Sequence, residues 1–534
     1  MKNYIKDLLD LIETKPLSQL KKELSKKYKL KSIPTNIKIL NNLNKKQREK
    51  YSKYFVTKAI RTLSGVAPIA IMTSPEKCPH GKCIMCPGGL NSFFGNTPQS
   101  YTGKEPATMR GIRTNFDPFL QTFTRLEQYF VLSQIPEKVE LIIMGGTFPS
   151  RDLNYQKKFI TQAFQALNTF SDLFYKRNFD SEKFNKFFEL PGSIHDEKRI
   201  KSVYKKILRL KKRTNLKIEH KKNEKFKIKC VGLTVETRPD QASEQQLKFL
   251  LRLGVTRLEI GVQSLDNKIL KNIDRGHFIA DTIETTKRAK NMGFKINYHM
   301  MIGLPGSSLK KDIETFKALF KDQSFRPDML KIYPCMVIKG TKLYKLYKLK
   351  KYKPLTTQQT IDLLNKIKRF VPEYCRIMRV QRDIPTKYTE AGPNITNLRQ
   401  YLNKCKCIRC REPPQSFIPK NPELIIRKYK ASQEEEFFIS LEENNYILGL
   451  CRLRLLNNIA IIRELHIYGE LTKLKEKGKV QHKGYGKLLL NKAEEIAEKN
   501  NKNKILVISA IGTRLYYKKL GYKLEPPYMV KYIN

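Results

Sequence analysis

With 534 residues the chain is too long for one hydrophobic core, so two or three domains are expected, and a hydrophobic fraction of 40% is enough to fold them. Its 104 Lys+Arg against 50 Asp+Glu leave a formal charge of +54; a lysine-rich solvated surface accounts for part of such an excess, and the rest suits a polyanion, nucleic acid above all. No run of eighteen apolar residues, no basic amphipathic stretch with a bulky apolar face and no apolar segment after Met1 occur, which excludes membrane and exported classes and leaves a cytoplasmic protein in which clustered cysteines mean metal.

Residues 1–57 read as short Lys-dense helices over 4–13, 17–27 and 46–59, a basic helical module. From about 58 the pattern changes to β-branched runs at 67–72, 139–144, 230–235, 257–262, 295–301, 329–334 and 376–380, separated by helical periods. Strands alternating with helices imply a parallel sheet, here a full or partial TIM-type barrel over 58–385, with chemistry expected on the loops at the C-terminal strand ends. The charged stretch 176–228 reads as a basic helical insertion. A Cys-rich linker, 386–420, leads to a mixed α/β unit of acyltransferase size at 421–534. Its strands are expected at 424–429, 435–441, 446–455, 459–468, 505–509 and 528–533, and its helices at 485–500 and 512–520.

Directly after the first barrel strand comes Cys78-Pro79-His80-Gly81-Lys82-Cys83-Ile84-Met85-Cys86. Three thiolates on one loop can hold three irons of a 4Fe-4S cubane and leave the fourth iron open to chelate the amino and carboxylate groups of S-adenosylmethionine (SAM). No fourth Cys or His stands at zinc spacing in this loop. Gly145 and Gly146 end the second strand, where a backbone without side chains could approach SAM; Glu236 and Arg238 end the third and offer a carboxylate and a guanidinium. These four are taken as SAM-binding only as a set. Glu259 and His299 lie near later strand ends.

In the last unit, 481–487 (Gln-His-Lys-Gly-Tyr-Gly-Lys) stands between a strand and a helix, so that backbone N–H groups at a helix N-terminus could hold the pyrophosphate of coenzyme A. Tyr517 could protonate a departing thiolate or simply pack, and Glu464 or His466 could act as base or simply face solvent. Cys405, Cys407 and Cys410 form a zinc-like C-x-C-x2-C set whose fourth ligand is expected to be Cys335; unligated thiols or a second cluster are the other readings.

Across almost its whole length the sequence resembles the catalytic subunits of Elongator, the tRNA wobble-uridine modifying enzymes. The resemblance is carried by KAIRTLSG at 58–65, by 78–89, by QSYTGKEPATMRGIR at 99–113, and by 144–148, 234–240, 325–334, 380–385, 463–469, 481–486 and 512–522. It implies a radical SAM barrel followed by a GNAT acetyltransferase domain, an electron donor that reduces the cluster, and a deoxyadenosyl radical that takes hydrogen from the methyl of acetyl-CoA. The carbon radical would add to C5 of the wobble uridine, and loss of the thioester would leave 5-carboxymethyluridine. It also implies that Lys138 touches acetyl-CoA from the barrel, and that Glu464, Leu465, His466, Ile467, Tyr485, Gly486, Lys487 and Tyr517 hold it in the GNAT domain. The four-residue spacer between Cys78 and Cys83, with Cys407 and Cys410, points to the archaeal and bacterial branch, in which the other Elongator subunits are expected to be absent and the basic module and insertion to hold tRNA. The competing expectation is a protein lysine acetyltransferase whose iron-sulfur cluster is only structural.

Overall fold

The structure, a computed structural model, describes all residues except 1, 31, 41, 56–64, 133, 193–195, 396, 415–416, 469–483 and 534. The end of the third expected helix, residues 58–64 of the KAIRTLSG stretch and residues 481–483 of the glycine loop therefore lie outside the described residues.

The N-terminal module consists of helices Lys2–Leu11, Leu17–Lys27, Asn36–Leu40 and Lys45–Tyr51; the sequence reading did not separate the third of these. Tyr4, Leu8, Leu20, Leu24, Ile39 and Phe55 give it a small core of its own.

Seven strands follow: β1 (Val66–Met72), β2 (Lys138–Met144), β3 (Lys229–Thr237), β4 (Arg257–Gln263), β5 (Lys295–Ile302), β6 (Met329–Pro334) and β7 (Arg376–Arg379). They pair in parallel in sequential order, with β1 and β7 as the edges, so the sheet is a half-barrel. Alternation along each strand sets its two faces. On β2, Val139, Leu141 and Ile143 are buried in one core with Phe123, Ile160 and Phe164 of the covering helices, each contributing about 1.5–3 kcal/mol. Lys138, Glu140 and Ile142 on the other face are only half-buried. The insertion between β2 and β3 is helical as expected: Ser181–Phe187, Glu197–Arg209 and Leu216–Asn223 begin on Asp180, Asp196 and Asn215, whose side chains accept backbone N–H bonds of the first turn. A cluster of phenylalanines, Phe123, Phe170, Phe174, Phe184 and Phe188, anchors it.

The C-terminal unit is a second seven-stranded sheet: β8 (Glu423–Ala431), β9 (Glu434–Glu443), β10 (Tyr446–Leu455), β11 (Ile459–Ile467), β12 (Lys504–Val507), β13 (Lys523–Glu525) and β14 (Tyr528–Tyr532), in the order β8-β9-β10-β11-β12-β14-β13. β13 was not anticipated, and the expected helix at 512–520 resolves into a 3-10 turn, Ile511–Thr513, and a helix, Arg514–Lys519. Only β11 and β12 pair in parallel, through Ile462 and Val507. The β10–β11 register shifts between Arg452–Glu464 and Leu453–Ile462, leaving Arg463 as the extra residue of a bulge.

This sheet docks on the N-terminal ends of the barrel strands through a buried charge network. Asp328, just before β6, receives Arg463 at 2.5 Å and lies 3.6 Å from Arg452; Lys290, just before β5, contacts Glu436 at 3.1 Å, which also takes Arg454 at 2.9 Å. Asp328, Lys290 and Arg463 have no exposed side-chain surface, so removing any one would strand its partners without water. Tyr374 stacks on Tyr429 at 4.0 Å, and Arg376 Nη1 donates to Tyr468 at 3.0 Å.

Candidate active site

The barrel has two working ends. At the C-terminal end, the loop after β1 is pinned from both sides: Ile84 N–H donates to Ile273 O at 3.1 Å, Leu343 N–H donates to Ile84 O at 2.9 Å, and the turn itself closes through Gly81 to Cys78 and Cys86 to Cys83, both at 3.0 Å. The structure brings Cys78, Cys83 and Cys86 onto this one loop. Their thiols do not all lie within 4.8 Å of one another, unlike those of the linker set. Thiolates that bind three different irons of a cubane stand farther apart than thiolates that share one ion, so the spread suits a cluster.

Two guanidiniums support the loop. Arg275 Nη2 donates to Gly261 O at 2.5 Å and its Nη1 points at Cys83 Sγ, 3.7 Å away; His80 Nε2 lies 3.2 Å from the same sulfur. Burial pushes the Cys78 thiol up, against Thr147, Arg238 and Arg275, which favour the thiolate. Burial, then Arg238 and Arg275, lower His80 to about 4, so its ring is neutral near pH 7.

Gly145 and Gly146 stand where expected, at the end of β2. A Cβ on Gly145 would fall 2.2 Å from Thr73 Oγ1, and its φ of +124° excludes other residues. Their N–H groups are occupied: both donate to Glu236 Oε2, at 3.0 and 3.3 Å, while Tyr101 Oη donates to Oε1 at 2.8 Å. Glu236 is thereby held rigidly beside the cysteine loop. Arg238 departs from expectation. Only 2% exposed, it donates to the backbone carbonyls of Arg275 and Gly276 and to Asp240, so it braces the loop from beneath and acts on Cys78 through charge. Glu259 lies inside the barrel, bonded to His299 at 2.5 Å and to Lys331.

At the opposite end, Gly484 takes φ +80° and caps the helix Tyr485–Lys499, its carbonyl accepting from Lys487 and Leu488 at 3.0 Å. Gly486 faces Ile467 of β11 and the hydroxyl of Tyr516, a residue the sequence reading passed over. Tyr517 is buried beside Cys451, and burial, then that thiol, raises its hydroxyl. Glu464, expected to act as base or to face solvent, instead lies in an ion-pair network with little exposed surface. Burial would raise its carboxyl, but Lys295 at 3.1 Å and Arg452 at 2.8 Å outweigh it and hold it ionised across the domain junction. His466 packs on Tyr468 at 4.4 Å, and burial lowers it to about 4, so it is unprotonated near pH 7. Lys138 opens β2 at the foot of the barrel, and burial lowers its amine.

In the linker, Cys405, Cys407 and Cys410 place their sulfurs within 4.8 Å of one another, Cys405 and Cys410 at 3.6 Å, close to the ~3.8 Å that tetrahedral Zn–S bonds of ~2.3 Å require. Cys405 and then Cys407 pull the Cys410 thiol down. Cys335 is a correction: its thiol is not in this group but buried in a separate core with Ile84, Met85 and Tyr352, beneath the first cysteine loop. A position after a barrel strand suggests reach to the linker; the Cys335 N–H instead donates to Ile302 O at 2.9 Å, beside β5, and the thiol is buried. Cys375, read as a core residue, is buried close enough for Cys407 to affect its thiol.

Comparison with known proteins agrees with this layout. The ELP3 N-terminal domain matches residues 3–63, the Radical SAM superfamily 74–319, the Radical SAM C-terminal domain 327–406, and the GNAT acetyltransferase family 402–522. A protein of Methanocaldococcus infernus named tRNA uridine(34) acetyltransferase is 40% identical over 97% of this chain and 96% of its own length. Elongator complex protein 3 of Homo sapiens is 36% identical over 97% and 93%. The solved structure of M. infernus Elp3 with its N-terminus (1–46) deleted superposes with a TM-score of 0.70 at 35% identity, covering 88% of this chain and all of that one. A radical SAM domain implies a 4Fe-4S cluster and SAM, and a GNAT domain implies acetyl-CoA. With both domains in this order and with relatives matched end to end, the chain belongs to the Elongator complex protein 3 and tRNA uridine(34) acetyltransferase family.

Proposed function

We propose that this chain converts the wobble uridine of tRNA to 5-carboxymethyluridine using SAM and acetyl-CoA. The observation that carries the reading is the placement of two different cofactor-type sites on one barrel: a three-cysteine loop at the C-terminal strand ends and an acetyltransferase sheet at the N-terminal ends. When bound, the cluster and SAM would supply a deoxyadenosyl radical, and acetyl-CoA the two-carbon unit.

The chain's own residues prepare both ends. Cys78, Cys83 and Cys86 hold the cluster, Arg275 and Arg238 favour the thiolate of Cys78, and Glu236, fixed by Gly145, Gly146 and Tyr101, orients SAM. Gly484 to Lys487 seat the pyrophosphate on a helix N-terminus, Leu465 to Ile467 line the thioester, and Lys138 meets it from the barrel. Tyr517 or the more exposed Tyr516 protonates the departing thiolate. Zinc on Cys405, Cys407 and Cys410 ties the linker to the barrel core, where Cys407 is buried. The basic N-terminal module, 1–57, and the insertion, with Lys201, Lys205 and Arg209 beside Tyr204 on one helix, hold the tRNA.

Anaerobic incubation of reconstituted, reduced protein with SAM, tRNA and isotopically labelled acetyl-CoA, followed by nucleoside mass spectrometry, is expected to show label in 5-carboxymethyluridine. Label in protein lysines and none in tRNA would overturn the reading in favour of a protein acetyltransferase.

A further inference from the structure

We propose that the hairpin following the cysteine loop is a nucleobase-stacking platform, on which the exposed ring of Phe93 takes a base neighbouring the wobble uridine. The inference rests on the reading that the substrate is tRNA.

The first observation is where the hairpin comes from. Its arms, Gly89–Ser92 and Gly95–Thr97, grow out of the site itself. The first leaves three residues after Cys86. The second leads back to Ser100, whose N–H donates to Cys86 Sγ at 3.3 Å, and to Tyr101, which bonds Glu236. A Cβ on Gly88 would fall 2.4 Å from the carbonyl oxygens of Pro98 and Tyr101, so the arms are closed on each other at the root. With four residues in the first arm at ~3.3 Å each, the tip stands ~13 Å out from the loop, where a nucleotide next to a base held in the barrel would pass.

The second is that Phe93, at this tip, is clamped yet uncovered. A Cβ built on Gly340 would lie 2.1 Å from Phe93 Cβ, so only glycine lets the two segments approach. Phe94 meets the Phe93 ring edge-on at 5.2 Å and is itself edge-on to Tyr388 at 6.0 Å, over buried Met336, Ile338 and Ile384. Even so, 64% of Phe93 is exposed. Apolar surface left in water is a cost that folding does not recover, and a ring already held in place loses little freedom when a ligand covers it. Apart from Leu90 the tip is polar, with Asn91, Ser92 and Asn96 bonding within the turn, so the apolar patch is too small for a protein partner and of the right size for a single base.

The third is charge. The run 339–353, which begins beside Gly340, carries seven lysines and no acidic residue. It crosses the cysteine loop, where Leu343 N–H donates to Ile84 O. Lys339 and Lys342 pair with Glu390 and Asp274; Lys345, Lys348, Lys350 and Lys351 have no acidic partner among the described residues. Lysines beside an exposed aromatic ring are the pairing that single-stranded RNA requires, cations for its phosphates and a flat face for an unpaired base. Stacking the neighbour on Phe93 would hold the strand open while the uridine turns into the barrel.

The chain contains no tryptophan, so Phe93→Trp places a single fluorescent indole at the tip. Its emission is expected to be quenched when the full chain binds tRNA and to stay unchanged with blunt double-stranded RNA, whose bases are already stacked. In equilibrium binding across a salt series, Phe93→Ala is expected to weaken tRNA about tenfold at every salt concentration with the parent's salt slope, because stacking neutralises no phosphate. The tryptophan variant carries the test if Phe93→Ala fails to fold. Emission insensitive to saturating tRNA, or quenched equally by the duplex, would overturn the platform. So would a Phe93→Ala affinity within about twofold of the parent, or a shallower salt slope, which would make the loss one of phosphate contacts. Failure of the parent chain to bind tRNA would instead overturn the tRNA reading.

Discussion

Two sets of three thiols occupy this chain, and the difference between them is geometric. Cys405, Cys407 and Cys410, with one and two residues between them, crowd their sulfurs within 4.8 Å; Cys78, Cys83 and Cys86, with four and two residues between them on a loop pinned at Ile84, do not. The crowded set sits in the linker with Cys407 in the barrel core, surrounded by structure. The wider set sits at the strand ends near Arg275, which points a guanidinium nitrogen at Cys83, His80, whose ring lies against the same sulfur, and Glu236, a carboxylate that accepts from the Gly145 and Gly146 N–H groups. On the proposed reading the same ligand atom would serve cohesion in one place and chemistry in the other, because spacing decides whether thiolates share one ion or spread over a cluster.

The sharpest break of that contrast is Cys83→Ala. Iron content and deoxyadenosine formation should fall to background while zinc content and folding stay intact; full tRNA modification by this variant would remove the radical role from the loop. Cys407→Ser is the mirror experiment. Zinc should be lost and stability reduced by upwards of about 4 kcal/mol, with iron retained, as metal analysis and denaturant unfolding would show. Asp328→Asn asks how much of the junction is held by charge instead of by the linker set. Uncovering Arg463 and Arg452 should cost about 3 kcal/mol and separate the unfolding of the two domains, whereas an unchanged transition would assign the junction to packing.

The smallest effect concerns His220, buried against Phe164 and lowered to about 3 by burial and then by Arg514. Because the unfolded chain takes up this proton near pH 6.5, stability is complete above that value and is lost as pH falls toward 3, by at most ~1.4 kcal/mol per pH unit. His220→Phe should flatten the melting temperature against pH across that window, and an unaltered slope would place the titration elsewhere.

Much of this is legible in the sequence. Strands of a parallel sheet covered by helices read as short apolar runs, which is why all seven barrel strands appear within a residue or two of their observed ends. The cysteine loop and the glycine loop were legible because each is contiguous. What escaped was non-contiguous. Arg275 meets Cys83 across 192 residues and Arg463 meets Asp328 across 135, and no periodicity announces either pair. Cys335 was assigned by its place after a strand, and Glu464 by its place in a motif; both are decided by what packs against them.

Local chemistry along the chain, then, dictates which segments are strands, where three thiols share a loop and where a helix N-terminus can hold a phosphate, since each depends on residues a few positions apart. Only the tertiary packing decides that Arg238 braces from below and that Glu464 is an ion-pair partner. Burial and opposite charge act between residues that are distant in sequence, and their partners exist only once the two domains meet.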